Sequence, residues 1–220
     1  MPHRDTFTYK DLFDCENWYS LITAFVLLGF SFVFEHFASV YALVYLERST
    51  SVYVGDLFLD NLPVVDLSFI IVEIAMVSIV LMVLFLVYFR PRYLLFSLKA
   101  LALFIAIRAL FISLTHIGIY PGSINLGDGF FDAIYSYLNF QTGFFFSGHT
   151  GIPFLMALVF WNKPLERNVL LVLSLVLAVS VLLAHTHYSI DVLAAPFMAY
   201  GIFNIAQYLF PRDYELIEKK

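Results

Sequence analysis

The chain has 220 residues, 61% of them hydrophobic and 13% charged, with a net charge of −5, and its mean hydropathy is +0.86. A chain this apolar has too little polar surface to enclose itself in water, which excludes a soluble globular domain. Without a run of five like charges it has neither a nucleic-acid-binding arm nor a strongly basic lipid-binding patch, and the single Cys15 excludes an intramolecular disulfide and a cysteine-rich metal site.

In chain order, the first 19 residues are polar, with Asp5, Asp11, Asp14 and Glu16, and lack the form of a cleavable signal peptide. A bilayer core of roughly 30 Å takes about 20 helical residues at about 1.5 Å each. By that measure six segments are expected to cross: 20–46, 67–89, 93–118, 144–161, 168–184 and 188–210. Pro91 closes the second, "YPG" at 120–122 the third and "NKP" at 162–164 the fourth, by removing a helix donor or freeing the backbone. The expected fold is all-α: a six-helix membrane domain over 20–210, flanked by a polar N-terminus (1–19) and a polar C-terminal tail (211–220).

Lys and Arg favour the cytoplasmic side of membrane proteins. Arg4 and Lys10, Arg90 and Arg92, Lys163 and Arg167, and Arg212, Lys219 and Lys220 all fall on one side of the six-segment pattern. The opposite loops contain only Arg48. Both termini are therefore expected in the cytoplasm, and two polar clusters, "SGHT" at 147–150 and "HTHYSID" at 185–191, at the opposite face.

The two clusters carry complementary chemistry. His187 and Asp191 are spaced i, i+4, which stacks them on one helix face. A carboxylate on one ring nitrogen fixes the tautomer and leaves the other nitrogen's lone pair to attack, the logic of an activated nucleophile. His149 supplies a second imidazole as general acid and base, since histidine titrates near neutral pH. Ser147 and Gly148 stand where a helix should begin, and backbone N–H groups there bind phosphate. Arg108, inside the third segment, either grips that phosphate with its planar guanidinium or forms a buried salt bridge with Glu35 or Glu73. The combination describes phosphoryl transfer through a phosphohistidine, with no metal or other cofactor required.

At these residues the chain resembles the type 2 phosphatidic acid phosphatase (PAP2) superfamily, and within it the sphingomyelin synthase branch. Ser147-Gly148-His149-Thr150 matches the branch's Ser-Gly-His-Thr. His187-Tyr188-Ser189-Ile190-Asp191-Val192 matches its His-Tyr-Ser/Thr-x-Asp-Val, and Arg108 with Thr115 its Arg-x6-Thr. The resemblance spans roughly 60–205 and implies a six-helix core with His187 as nucleophile, Asp191 as its partner and His149 as acid/base. It places Ser147, Gly148, Thr150, Arg108 and Tyr188 around the substrate. It also implies a phospholipid donor and a lipid alcohol acceptor, ceramide-like in this branch, with a lipid phosphate phosphatase or phospholipase C-like hydrolase as the alternative. The chain departs from the branch at Thr142, Gly143 and Phe144, where the pattern has Cys-Gly-Asp, and "NLPVVD" at 61–66 only approximates Pro-Pro-Leu-Pro-Asp. The phosphatases' arginine in the third motif falls at Val181.

Other polar residues have plainer expectations. His185 reads as a satisfied interface histidine. Glu35 and His36, in mid-span, demand a partner or a cavity and either bridge helices or line a lipid pocket. Asp128 and Asp132 read as solvated, or with Tyr135, Tyr137 and Tyr188 as contacts for a cationic head group. A transporter or scaffold using Glu35, His36, Glu73 and Arg108 as a relay or packing contact is the reading from another class.

Overall fold

In the computed structural model, which describes residues 7–48, 53–126, 130–131 and 145–218, every regular element is helical. Helix α1 spans Cys15–Arg48. A π-helical turn, Ile70–Ile74, runs into α2, Ala75–Phe89, and α3 follows at Pro91–Leu114. Then come α4 at Gly148–Val159, α5 at Pro164–Leu183, α6 at Ser189–Leu209 and α7 at Pro211–Glu218. Prolines open α3 and α5, where the missing N–H is one the helix would leave unpaired anyway.

Among the described residues, α1, the π turn with α2, α3, α5 and α6 are long and apolar enough to cross a bilayer. The chain is an all-α polytopic membrane protein. The expected 144–161 segment is shorter than its hydropathy suggests: α4 has 12 residues, a rise of about 18 Å. It starts only at Gly148, because Phe146 has φ 26° and Ser147 is extended, and it ends before Phe160. The third segment stops at Leu114, where Thr115 turns extended, rather than at 118. Residues 211–218, expected as part of a polar tail, form α7.

Alpha-helix packing here rests on small side chains. The α1 face toward α3 repeats as Ala24, Leu28, Ser31, Glu35, Ala38 and Ala42, a spacing of alternating three and four residues that keeps one stripe against its neighbour. Small residues on such a stripe let helices approach closely without the water-driven hydrophobic effect. Helix α6 repeats the device with Val192, Ala195, Ala199, Ile202 and Ala206. Phe25, Phe30 and Phe37 of α1 point away from the protein, as lipid-facing side chains do. Helix α3 is central: it packs on α1, α2, α4, α6 and α7.

Two ends of the bundle are distinguishable. At one, Lys99 of α3 pairs with Asp213 of α7 at 2.5 Å, and Ser20 of α1 donates to the same carboxylate at 2.7 Å. Arg90 pairs with Glu166 at this end, also at 2.5 Å. Nine residues further along α3 from Lys99, about 13 Å by helix rise, Arg108 marks the other end, where α4 and α6 begin.

At Gly151, α4 lies tight against α3. A Cβ there would lie 2.5 Å from Phe104 Cζ and 3.6 Å from Ala195 Cβ. Phe104 is itself fully buried, and its ring packs edge-on against Phe146 at 5.2 Å. Overpacking of this kind costs about 1–3 kcal/mol, against the roughly 1 kcal/mol that alanine gains over glycine in a helix. Gly151→Ala is therefore expected to lower the melting temperature in detergent, and adding Phe104→Leu to restore it. An unchanged melting temperature in the single variant would show that the contact is not tight.

Candidate active site

The site is built by two helix starts held together. Ser147 caps α4: its Oγ accepts from the Thr150 N–H at 3.4 Å. Its own backbone N–H donates to the carbonyl of Asp191, in the first turn of α6, at 2.9 Å. That bond fastens the two polar clusters to each other. Consequently the rings of His149 and His187, 38 residues apart in sequence, lie 6.1 Å apart between centroids at an interplanar angle of 66°.

Each imidazole is oriented from behind. His187 Nδ1 lies 3.4 Å from Asp191 Oδ2, and that oxygen also accepts the Tyr188 N–H at 3.3 Å. A proton on Nδ1 toward the carboxylate puts the reactive lone pair on Nε2. The separation is long for a hydrogen bond, as catalytic contacts often are before substrate tightens them. The His149 ring hydrogen-bonds the backbone of Ile71, inside the π turn that opens α2. Such turns depart from the regular helical ladder and recur at functional sites.

Positive potential converges on the same place. The N-termini of α4 and α6 each carry about half a positive charge. Arg108 donates from Nε to the Phe146 carbonyl at 3.4 Å, and its Nε lies 3.8 Å from where a Gly148 Cβ would be. The guanidinium also pairs with Glu35 of α1, and both side chains are buried. Glu73, the other partner considered for it, accepts the Phe131 N–H instead, at 3.4 Å. Phe146, with φ 26° and no exposure, is in a left-handed conformation that costs on the order of 1–3 kcal/mol.

His149, His187, Asp191, Ser147, Gly148 and Arg108 thus come together. Thr150 lies in the same turn, where its carbonyl accepts from Ser174 Oγ at 2.7 Å and its own Oγ1 is buried with no hydrogen-bond partner among the described residues. Tyr188, expected at the substrate, is turned elsewhere: its hydroxyl donates to the Gly118 carbonyl at 2.8 Å and accepts the Val54 N–H at 3.3 Å. It is 3% exposed and ties two loops to α6. His185 is buried against Tyr120, their rings 5.3 Å apart, but it is not satisfied: neither ring nitrogen has a partner among the described residues. Its φ of 54° turns the ring into an aromatic wall. His36 is exposed on α1 beside the buried Glu35. Asp128, Asp132, Tyr135, Tyr137 and Thr142 to Phe144 lie outside the described residues. Among the described residues no three His, Cys, Asp or Glu side chains converge as metal ligands.

Asp56 escaped the sequence reading. Its carboxylate accepts N–H groups from Ser189 at 2.7 Å, Phe58 at 2.9 Å and Leu59 at 3.1 Å, capping α6 from 133 residues away. Burial pushes its pKa up, but the backbone donors prevail and hold it below the usual carboxylate value. Nothing local in the sequence signals this contact.

Beside His149 a cavity of about 190 Å³ extends between α1, α2, α3, α4 and α5. Glu35, Arg108, Gly148 and His149 form its polar end; Met82, Leu98, Leu101, Ile105 and Met156 are among its apolar walls.

Residues 142–208 match the family model described as PAP2 superfamily C-terminal, which supports membership of the PAP2 superfamily. The matched stretch contains both histidine clusters and most of α6. No curated protein matches the chain.

The Arg108–Glu35 pair makes a prediction independent of activity. Arg108→Met leaves a carboxylate buried without its counter-charge and is expected to destabilise the fold by about 3–5 kcal/mol. The double variant Arg108→Met with Glu35→Met should recover most of that loss in thermal unfolding. Equal losses in the single and double variants would show that the pair is not coupled.

Proposed function

We propose that the protein is a membrane-embedded lipid phosphotransferase, moving a phospho-head group from a glycerophospholipid to a lipid alcohol. The superfamily match supports a phosphatase- or phosphotransferase-type lipid enzyme. The observation that carries the finer reading is the pair of oriented imidazoles, 6.1 Å apart, one of which, His149, also lines an apolar cavity.

In this mechanism the donor's phosphate lies between the rings, against the N–H groups that open α4 and the Arg108 guanidinium. His187 Nε2 attacks phosphorus, and the bond from phosphorus to the diacylglycerol oxygen breaks. Protonated His149 gives its proton to that oxygen, and diacylglycerol leaves. The acceptor's hydroxyl then gives its proton to His149 while its oxygen attacks phosphorus, and the bond from phosphorus to His187 Nε2 breaks. His149 ends protonated, ready for the next donor. Asp191 stabilises the charge on His187 throughout. The resemblance to the sphingomyelin synthase branch makes a ceramide-like acceptor the reading for the second lipid. An apolar surround favours it over water, because a closed site suppresses hydrolysis.

Sidedness follows from charge. Arg90, Lys99, Lys163, Arg167 and Arg212 belong to the end of the bundle away from the imidazoles, and basic residues favour the cytoplasm. The reading therefore has cytoplasmic termini and an extracytoplasmic or lumenal site.

Incubation of purified protein with phosphate-labelled phospholipid tests this. The expected result is an acid-labile phosphoprotein, abolished in His187→Ala, and a new labelled lipid only when ceramide is added. His149→Ala should slow transfer by roughly 100- to 10,000-fold. Water-soluble labelled product alone, unaffected by ceramide, would replace transfer with hydrolysis. Full activity in His187→Ala would exclude the mechanism.

A further inference from the structure

The carboxylate of Glu35 is only half used. One oxygen pairs with Arg108. The other, Oε2, is buried with no hydrogen-bond partner among the described residues, on a residue 3% exposed that lines the cavity. A buried acceptor left unpaired is costly, more so when charged. The cavity therefore calls for a ligand that brings a hydrogen-bond donor to its polar end.

Its dimensions describe the rest of that ligand. Along α3 the lining runs from Ser97 to Arg108, a rise of about 16 Å, close to half of a hydrocarbon core of roughly 30 Å. An alkyl tail lying one leaflet deep fits that length. Helix α1 packs along α3 rather than against α2, yet both line the cavity, so the slot lies between two helices that are not closed on each other.

We propose that this slot binds the acceptor lipid and that Glu35 Oε2 selects it, by accepting from a second donor, a hydroxyl or amide N–H, beside the reacting hydroxyl. The inference rests on the phosphotransferase reading for the word acceptor, but the binding preference stands apart from turnover. The glycerol backbone of a diacyl phospholipid carries ester carbonyls, which only accept, so on the membrane side of its phosphate it has nothing to offer this oxygen. Diacylglycerol has one hydroxyl, the reacting one. An N-acylated amino diol such as ceramide has two hydroxyls and an amide N–H, and meets the requirement.

Substitution of Glu35 by glutamine changes the sign of the preference. Arg108 only donates, so the amide oxygen of the glutamine turns to it and the NH2 group faces the slot. The site then presents a donor, which ester carbonyls satisfy. Leu101→Trp fills the slot below the carboxylate without touching the ion pair.

The test measures binding in protein carrying His187→Ala, which removes turnover by this mechanism. A photoactivatable ceramide is crosslinked in lipid discs and displaced by unlabelled ceramide or by diacylglycerol with the same tails. Ceramide is expected to displace the probe at concentrations about tenfold or more below diacylglycerol, as expected for a hydrogen bond to a charged group. The crosslinks should map to α2 and α3. Glu35→Gln should abolish or reverse the preference, and Leu101→Trp should remove the crosslinks while thermal unfolding remains cooperative. Equal displacement by the two lipids, an unchanged preference in Glu35→Gln, or crosslinks that persist in Leu101→Trp would each overturn the proposal. Failure of the wild-type protein to transfer phosphate would instead sink the phosphotransferase reading and leave the binding result intact.

Discussion

The hydrogen bond from the Ser147 N–H to the Asp191 carbonyl, 2.9 Å long, is the constraint on which the rest of the site depends. It joins the first turns of two helices far apart in sequence, and each turn carries one imidazole. Without it, α4 and α6 remain merely adjacent. With it, the two rings are held in a fixed relation, and the positive ends of both helices point at the same small volume. Every neighbouring feature protects that closeness. Gly151 and Ala195 let α4 approach α3 and α6, while Asp56 caps α6 from the loop before the π turn.

The ion pair of Arg108 and Glu35 serves the site in a second way. A lone arginine inside a membrane is expensive, and α1 supplies the compensating carboxylate from a stripe otherwise made of Ala, Ser and Leu. That pairing keeps the guanidinium against the start of α4 before any phosphate arrives. It also brings a carboxylate to the polar end of an otherwise apolar cavity. Strain at Phe146, held by complete burial, completes a site that is organised before its ligand.

What was legible in the sequence follows the range of the interaction concerned. Membrane spans depend on the hydropathy of contiguous residues, so five of the six expected segments and most of their limits were readable. The exception, α4, is shortened by a cap and a left-handed residue rather than by polarity, and hydropathy does not register either. That His149, His187 and Asp191 would lie close together was readable because their residue types and the i, i+4 spacing of the latter pair marked them as one candidate cluster. Arg108 was visible, but its partner stayed open between Glu35 and Glu73. The repeat of Ala24, Ser31, Ala38 and Ala42 on α1 would have chosen Glu35, since it shares their buried face. Asp56 and Ile71 were not readable, because capping α6 and bonding His149 depend on contacts that only the folded chain brings together. Tyr188 was misplaced for a related reason: its position beside His187 in sequence says nothing about where a long ring points.

The central claim, that His149 and His187 act on one phosphorus atom, is tested most directly by determining the structure of the protein with orthovanadate. The account predicts vanadium bonded to Nε2 of His187, with one vanadate oxygen within hydrogen-bonding reach of His149, about 2.6–3.2 Å, and another facing Arg108 and the start of α4. Vanadate bound elsewhere, or held by one imidazole while the other turns away, would contradict it.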